Sequence, residues 1–228
     1  MCHRYFQEHQ SAKVAEKYAA RDMTITAEEI PEEVYPTYRS VVVLTEDGQR
    51  VLKTMYWAFI PGWVKDADLE KFSKPNNARD DTVVRNLMER RGMYYQAMQS
   101  ARCILTATGW CEWSGEKGKR VANRLSVRGQ EFVSFAGLYT YRAGFPGLSC
   151  VMITAAAQGK AAEFHERVPV VLTSEEDEAR WLDPQSDPKN LLDLFQSISD
   201  DLLQVEIRPQ DQIVPRRRKP DQEDLFEF

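Results

Sequence analysis

The 228-residue chain predicts an α+β domain built on a mostly antiparallel sheet or open barrel flanked by short helices. Three observations carry that expectation. Short β-branched and aromatic runs recur between turn residues. Two of these runs flank Glu46-Asp47-Gly48-Gln49, a hairpin signal. Segments with apolar residues at helical spacing are short and interleaved with the strands. At roughly 150 residues per domain the length suits one large domain, and neither an internal repeat nor a linker interrupts residues 1–210.

The elements follow in order. Ser11 caps a helix whose Val14, Ala15, Tyr18 and Ala19 share one face. Residues 41–44 and 51–59 are the hairpin strands, the second stopped by Pro61-Gly62-Trp63. A polar loop runs to Asn76-Asn77, and residues 82–100 read as helical with a break at Gly92. Residues 103–108, 109–113, 124–127, 131–140 and 149–154 read as strands. Helices are expected at 155–163, 175–181 and 188–199, with a closing strand at 203–207. Residues 211–228 carry four positive charges (Arg216 to Lys219), then Asp221, Glu223, Asp224 and Glu227, the pattern of a disordered charged tail.

Composition narrows the class. With 43% hydrophobic and 29% charged residues, wholesale disorder is excluded. No apolar run reaches the ~18 residues of a membrane span, and the start lacks a secretory stretch, so a soluble, cytoplasmic protein is expected. A monomer is a separate expectation that these features do not decide. Cysteines at 2, 103, 111 and 150 and histidines at 3, 9 and 165 lack disulfide or zinc spacing. Reduced thiols and no metal or organic cofactor are expected. A net charge of −5 speaks against a nucleic-acid coat protein, although it averages over the surface and says little about one groove.

Four short segments carry chemistry. Removal of Met1 exposes Cys2 with a free α-amine and a thiol, a 1,2-aminothiol that traps an aldehyde as a Schiff base and closes it to a thiazolidine. Arg4 is near enough in sequence to lower that thiol's pKa. In Trp110-Cys111-Glu112-Trp113, strand alternation turns Glu112 away from its immediate neighbours, and aromatic cover would raise its pKa toward acid-base use; an exposed Glu beside core tryptophans is the plainer alternative. His165, in a loop before Arg167 and Pro169, suits a proton shuttle beside a phosphate contact, or an ordinary surface histidine. Asn77 and Arg79 offer an amide for a polar substrate and a guanidinium for phosphate. Trp57, Trp63, Trp110 and Trp113 are candidates for base stacking or for the core.

Together and in this order, the segments resemble the SOS-response-associated peptidase (SRAP) family of abasic-site processing proteins. The resemblance rests on Cys2 and Arg4, Trp57-Ala58-Phe59-Ile60-Pro61-Gly62-Trp63, Asn77-Ala78-Arg79, Gly109 to Trp113, Thr154 to Ala157 and His165 to Pro169, and covers about residues 1–210. His3 stands where the family has Gly, Ala58 replaces a Gly after Trp57, Glu33-Val34-Tyr35-Pro36 replaces Tyr-Asn-x-x-Pro, and Asp81 replaces a Glu.

The resemblance implies recognition of abasic sites in single-stranded DNA and a thiazolidine crosslink through Cys2, with lyase and autopeptidase (Met1 removal or crosslink release) activities as further expectations. It further implies that Asn77 holds the sugar, Glu112 shuttles protons and His165 assists ring opening. Arg4, Arg79 and Arg167 hold phosphates, and Trp63, Trp113, Thr154 and Pro36 line the strand's path. A cysteine peptidase using Cys2 and a non-covalent single-strand binding module are the alternatives. Gln222-Glu223-Asp224-Leu225-Phe226 resembles the bacterial sliding-clamp peptide, with Gln222, Leu225 and Phe226 as the anchors.

Overall fold

The computed structural model describes residues 2–24, 31–115 and 121–208. Its elements in chain order are β1 (Tyr5–Phe6), α1 (Ser11–Tyr18), β2 (Arg21–Asp22), β3 (Glu33–Val34), β4 (Arg39–Glu46), β5 (Gln49–Trp57), β6 (Asn77–Arg79), α2 (Asp80–Glu89), α3 (Tyr95–Ser100), β7 (Arg102–Ala107), β8 (Gly109–Ser114), β9 (Val121–Val127), β10 (Val133–Arg142), β11 (Gly147–Ala156), β12 (Arg167–Pro169), β13 (Val171–Leu172), α4 (Glu175–Leu182) and β14 (Leu203–Arg208).

The β4–β5 hairpin forms because Asp47 and Gly48 both take positive φ, 49° and 75°, the turn whose twist matches its strands. The larger sheet runs β12-β11-β10-β7-β4-β5-β2, with β6 added on β11 and β13 on β10. A smaller sheet runs β14-β9-β8-β1-β3. Pairing is antiparallel except for β11 with β5, β11 with β6 and β2 with β5. The β11–β5 pairing, with Cys150 beside Trp57, curls the larger sheet back toward its own start.

Both faces of the larger sheet are covered, which explains the unbroken apolar run Val41 to Leu44. Val41 and Val43 join a core with Val14 and Tyr18 of α1, Val83 and Leu87 of α2, Met98 of α3 and Trp181 of α4. Val42 and Leu44 turn the other way, into a core shared with Tyr5, Trp110 and Leu125 of the smaller sheet. Tyr5 meets Trp57 at 4.7 Å and Trp110 meets Phe135 at 5.7 Å, both edge to face, so aromatic pairs join the sheets. This second core leads directly to Cys2.

The expected mostly antiparallel α+β architecture is present, and three expectations need correction. Ser11 is the first residue of α1 and not its cap, a place taken by Gln10. In place of the helix expected at 155–163, β11 continues through Ala156 because Ala155 and Ala156 pair with Val168 and Arg167; only a 3-10 turn follows at Gly159–Glu163. The expected helix at 188–199 is a 3-10 segment over Pro188–Leu194. Residues 209–228 lie outside the described residues, as does the clamp-like peptide. Among the described residues, no helix is long and apolar enough to cross a membrane.

Candidate functional site

Cys2 lies three residues before β1 and is fully buried. Its Sγ donates to the Arg4 carbonyl at 3.4 Å. Its own carbonyl accepts from Asn77 Nδ2 at 2.7 Å and from Asn76 Nδ2 at 3.3 Å, so two consecutive amides clamp the residue's backbone. Asn77 is positioned by β6, which runs parallel to β11 with Asn77 opposite Met152. Asn76 is fixed through its carbonyl, which receives Trp57 Nε1 at 2.9 Å and the Met152 N–H at 3.0 Å.

Glu112 is positioned by β8. Tyr5 pairs with Trp110 across β1 and β8, and alternation sends Trp110 and Glu112 inward while Trp113 stays 40% exposed. The plainer sequence alternative, an exposed Glu112, therefore does not hold: the residue is 6% exposed. Burial pushes its carboxyl up to about 7. Its Oε1 and the Oδ1 of Asn77 are buried acceptors without a hydrogen-bond partner, an uncommon arrangement that suits a ligand's N–H or O–H donors.

The Cys2 thiol behaves differently from the sequence expectation. Burial, together with the nearby charge of Glu112, raises its pKa well above the ordinary value. Arg4 offsets this only through its backbone bond to Sγ, and its guanidinium is engaged elsewhere: Nη2 pairs with Glu33 Oε1 at 2.6 Å, and the group lies over the Tyr35 and Phe6 rings. Tyr35 donates to the other Glu33 oxygen at 3.1 Å.

His165 lies just before β12 and is half-buried. Its Nδ1 accepts the Arg167 backbone N–H at 3.0 Å, which leaves the proton of the neutral ring on Nε2. Burial lowers its pKa. Arg167 is itself buried: its Nη2 pairs with Asp80 Oδ1 at 2.7 Å and donates to the carbonyl of Thr154, which is fully buried. Arg79 is the exposed member of the three candidate arginines, and both its Nε and Nη2 bond to Asp81, the closest contact being 2.6 Å.

The remaining expected DNA contacts lie at varied depth. Trp63 is 66% exposed and packs edge to face on Phe72 at 5.7 Å, while Pro36 is half-buried. From sequence no role falls to the three carboxylates that face the arginines, Glu33, Asp80 and Asp81, or to the second amide on Cys2, Asn76. The adjacent run Arg79-Asp80-Asp81 is a local signal for two of them, whereas Glu33 is brought to Arg4 only by the β1–β3 pairing.

The arrangement can hold a carbonyl compound beside a thiol, with a carboxyl group that titrates near neutrality. The family model for SOS response associated peptidase (SRAP) matches residues 1–212. The abasic site processing protein YoqW of Bacillus subtilis (strain 168) is 30% identical over 169 residues, covering 72% of the chain and 71% of the relative. The abasic site processing protein HMCES of Xenopus tropicalis is 25% identical over 180 residues, 68% of the chain and 52% of the relative. A crystal structure of a Bacteroides thetaiotaomicron protein shares the fold with a TM-score of 0.79 at 20% identity, over 92% of this chain and 93% of the other.

Proposed function

The chain belongs to the SOS response associated peptidase (SRAP) family, and on that footing we propose that it recognises abasic sites in single-stranded DNA and joins itself to them through Cys2 as a thiazolidine. The observation that carries this reading is Glu112, a buried carboxyl with an unpartnered oxygen and a pKa near 7, beside a fixed Cys2. The names of the relatives, abasic site processing proteins, supply the substrate class.

Loss of Met1 frees the Cys2 α-amine while Asn76 and Asn77 keep hold of its carbonyl. His165 donates a hydrogen bond from Nε2–H to the ring oxygen of the abasic deoxyribose, and as the C1′–O4′ bond breaks the C1′ hydroxyl proton passes through water to O4′, leaving an aldehyde and a 4′-hydroxyl. The amine adds to C1′. Protonated Glu112 then gives its proton to the departing hydroxyl, which leaves as water, and a protonated Schiff base remains. Glu112, now a carboxylate, takes the Sγ proton as sulfur bonds to C1′. The ring closes with aldehyde and aminothiol converted to thiazolidine and one water. Glu112 ends protonated, as it began, so the same steps run backwards for release. Lyase and Met1-removing activities belong to this reading as its further consequences.

A cysteine peptidase is less well served by these groups, because the Cys2 pKa is raised and a peptide carbonyl lacks the activation that a protonated Schiff base gives C1′. The Gln222-to-Phe226 peptide is assigned, on its sequence alone, to docking on a bacterial sliding clamp. The test of the central reading is incubation with abasic and with intact oligonucleotides, followed by a denaturing gel. A heat-stable shifted band with abasic DNA alone is expected. Casein cleavage without that band, or binding seen only on native gels, overturns it.

A further inference from the structure

Each of the three arginines assigned to phosphate already holds a carboxylate of its own chain: Arg4 with Glu33, Arg167 with Asp80 and Arg79 with Asp81. The pairs differ in depth. Arg4 and Arg167 have side chains 7% and 6% exposed, and their partners are about a fifth exposed, so these pairs are built into the fold. The Arg79–Asp81 pair is exposed on both sides, 51% and 56%, and it is two-pronged. Two carboxylate oxygens on a guanidinium fork have the geometry of a bound phosphate. An exposed pair of this kind is weak enough to be displaced. It sits where β6 passes into α2, two residues beyond Asn77, whose side chain holds the Cys2 carbonyl.

We propose that Asp81 is a specificity-determining residue, an internal stand-in for DNA phosphate that occupies Arg79 until a strand displaces it and so lowers affinity for undamaged single strands. The inference rests on the abasic-DNA reading for the identity of the ligand. A strand without a lesion must compete with Asp81 for the guanidinium and gains little by doing so. A strand with an abasic site is retained afterwards by the bond to Cys2, which the competition does not touch. Selectivity then comes from a low grip on every strand and a covalent hold on one kind. The low pKa of Asp81, about 2 and due chiefly to its bonds from Arg79, keeps the stand-in ionised at every working pH. The charge of Arg79 is locally cancelled, so in the native protein it contributes little to the salt dependence of binding.

The experiment is fluorescence anisotropy of an intact single-stranded oligonucleotide against salt, with the full chain and with Asp81→Asn, Arg79→Ala, the double variant and Glu176→Gln. Glu176 is an exposed α4 residue that controls for net charge. Asp81→Asn is expected to bind about two- to fivefold tighter at low salt, with a log-affinity against log-salt slope steeper by up to about 0.7. Adding Arg79→Ala should abolish both gains, and Glu176→Gln should show neither. Unchanged or weaker binding by Asp81→Asn overturns the proposal, since weaker binding means that Asp81 positions Arg79 for DNA. A gain that survives Arg79→Ala, or that Glu176→Gln matches, overturns it too. Crosslinking to abasic DNA is scored separately: its absence strikes the proposed chemistry and leaves the affinity comparison intact, whereas crosslinking with unchanged affinity strikes the role of Asp81 alone.

Discussion

The backbone N–H of Arg167 donates to Nδ1 of His165 at 3.0 Å, so the residue that holds Asp80 and Thr154 also sets the tautomer of the candidate acid. With Nδ1 occupied as an acceptor, the neutral imidazole has Nε2–H to give. His165→Ala is expected to slow crosslink formation and reversal by about 100-fold, the ordinary worth of a positioned proton donor. Time courses on denaturing gels check this, and curves that match the unmodified protein would return His165 to the class of ordinary loop histidines.

Cys2→Ser is expected to abolish the heat-stable band while leaving the fold and native DNA binding in place. The serine keeps the amine and the carbonyl that Asn76 and Asn77 clamp, but its hydroxyl is a poorer nucleophile for ring closure. Retention of Met1 should have the same effect by a different route, because it leaves no free amine on Cys2. Intact-mass measurement identifies which form is present in each reaction.

Glu112 makes a prediction about stability as well as rate. Its pKa in the fold is about 7 against an ordinary 4.5, so folding favours its protonated form. That preference costs nothing below the ordinary carboxylate range; the penalty grows as pH rises from 4.5 to about 7, where the unfolded chain ionises and the folded one resists, and it is fully present above 7. Glu112→Gln should therefore be neutral for stability near pH 4 and stabilising at pH 8, by an amount on the order of 2 kcal/mol. It should at the same time slow crosslinking by about 100-fold. Thermal melts at the two pH values and gel time courses read the two effects independently. A variant that melts below the unmodified protein at pH 8 would contradict the burial argument.

Arg79 and Arg167 should separate by depth. Arg167→Ala strips a buried carboxylate pair and the Thr154 carbonyl of their donor, so a loss of about 2 kcal/mol or more and a melting temperature lower by several degrees are expected. Arg79→Ala, on an exposed pair, should leave the melting temperature within about a degree and alter only DNA affinity. Equal melting shifts in the two variants would show that exposure is the wrong guide to their roles.

Much of the fold and of the candidate site is legible in the amino-acid sequence, and the reasons lie in particular residues. The Asp47-Gly48 hairpin and the break at Gly92, with φ of 100°, are local events that nearest neighbours decide. The inward turn of Glu112 follows from strand alternation alone. What stays hidden depends on long-range pairing. The two-residue strands Tyr5–Phe6 and Glu33–Val34 are too short to show a period, yet their pairing puts Glu33 against Arg4. Residues 155–156 carry helix-favouring alanines and are extended because Val168 and Arg167 lie opposite. The raised Cys2 thiol is unreadable for the same reason: sequence proximity to Arg4 suggests a cation, and the fold gives that cation to Glu33.

The final prediction concerns Gln222-Glu223-Asp224-Leu225-Phe226, which agrees with the bacterial clamp-binding pattern Gln-Leu-Ser/Asp-Leu-Phe at four of five positions, Glu223 being the departure. A short peptide of this composition binds by inserting Leu225 and Phe226 into an apolar pocket while Gln222 bonds at its rim, with affinity reduced by the entropy of ordering. The acidic residues around it, Asp221, Glu223, Asp224 and Glu227, make a merely solubilising tail the competing explanation. The two differ in what they require of the apolar side chains. A peptide spanning residues 215–228, titrated against purified bacterial sliding clamp by fluorescence anisotropy, should bind in the micromolar range at about −8 kcal/mol. The version with Leu225→Ala and Phe226→Ala keeps every charge and should lose at least tenfold. Equal binding by both peptides, or none by either, would leave the tail with a role in solubility alone.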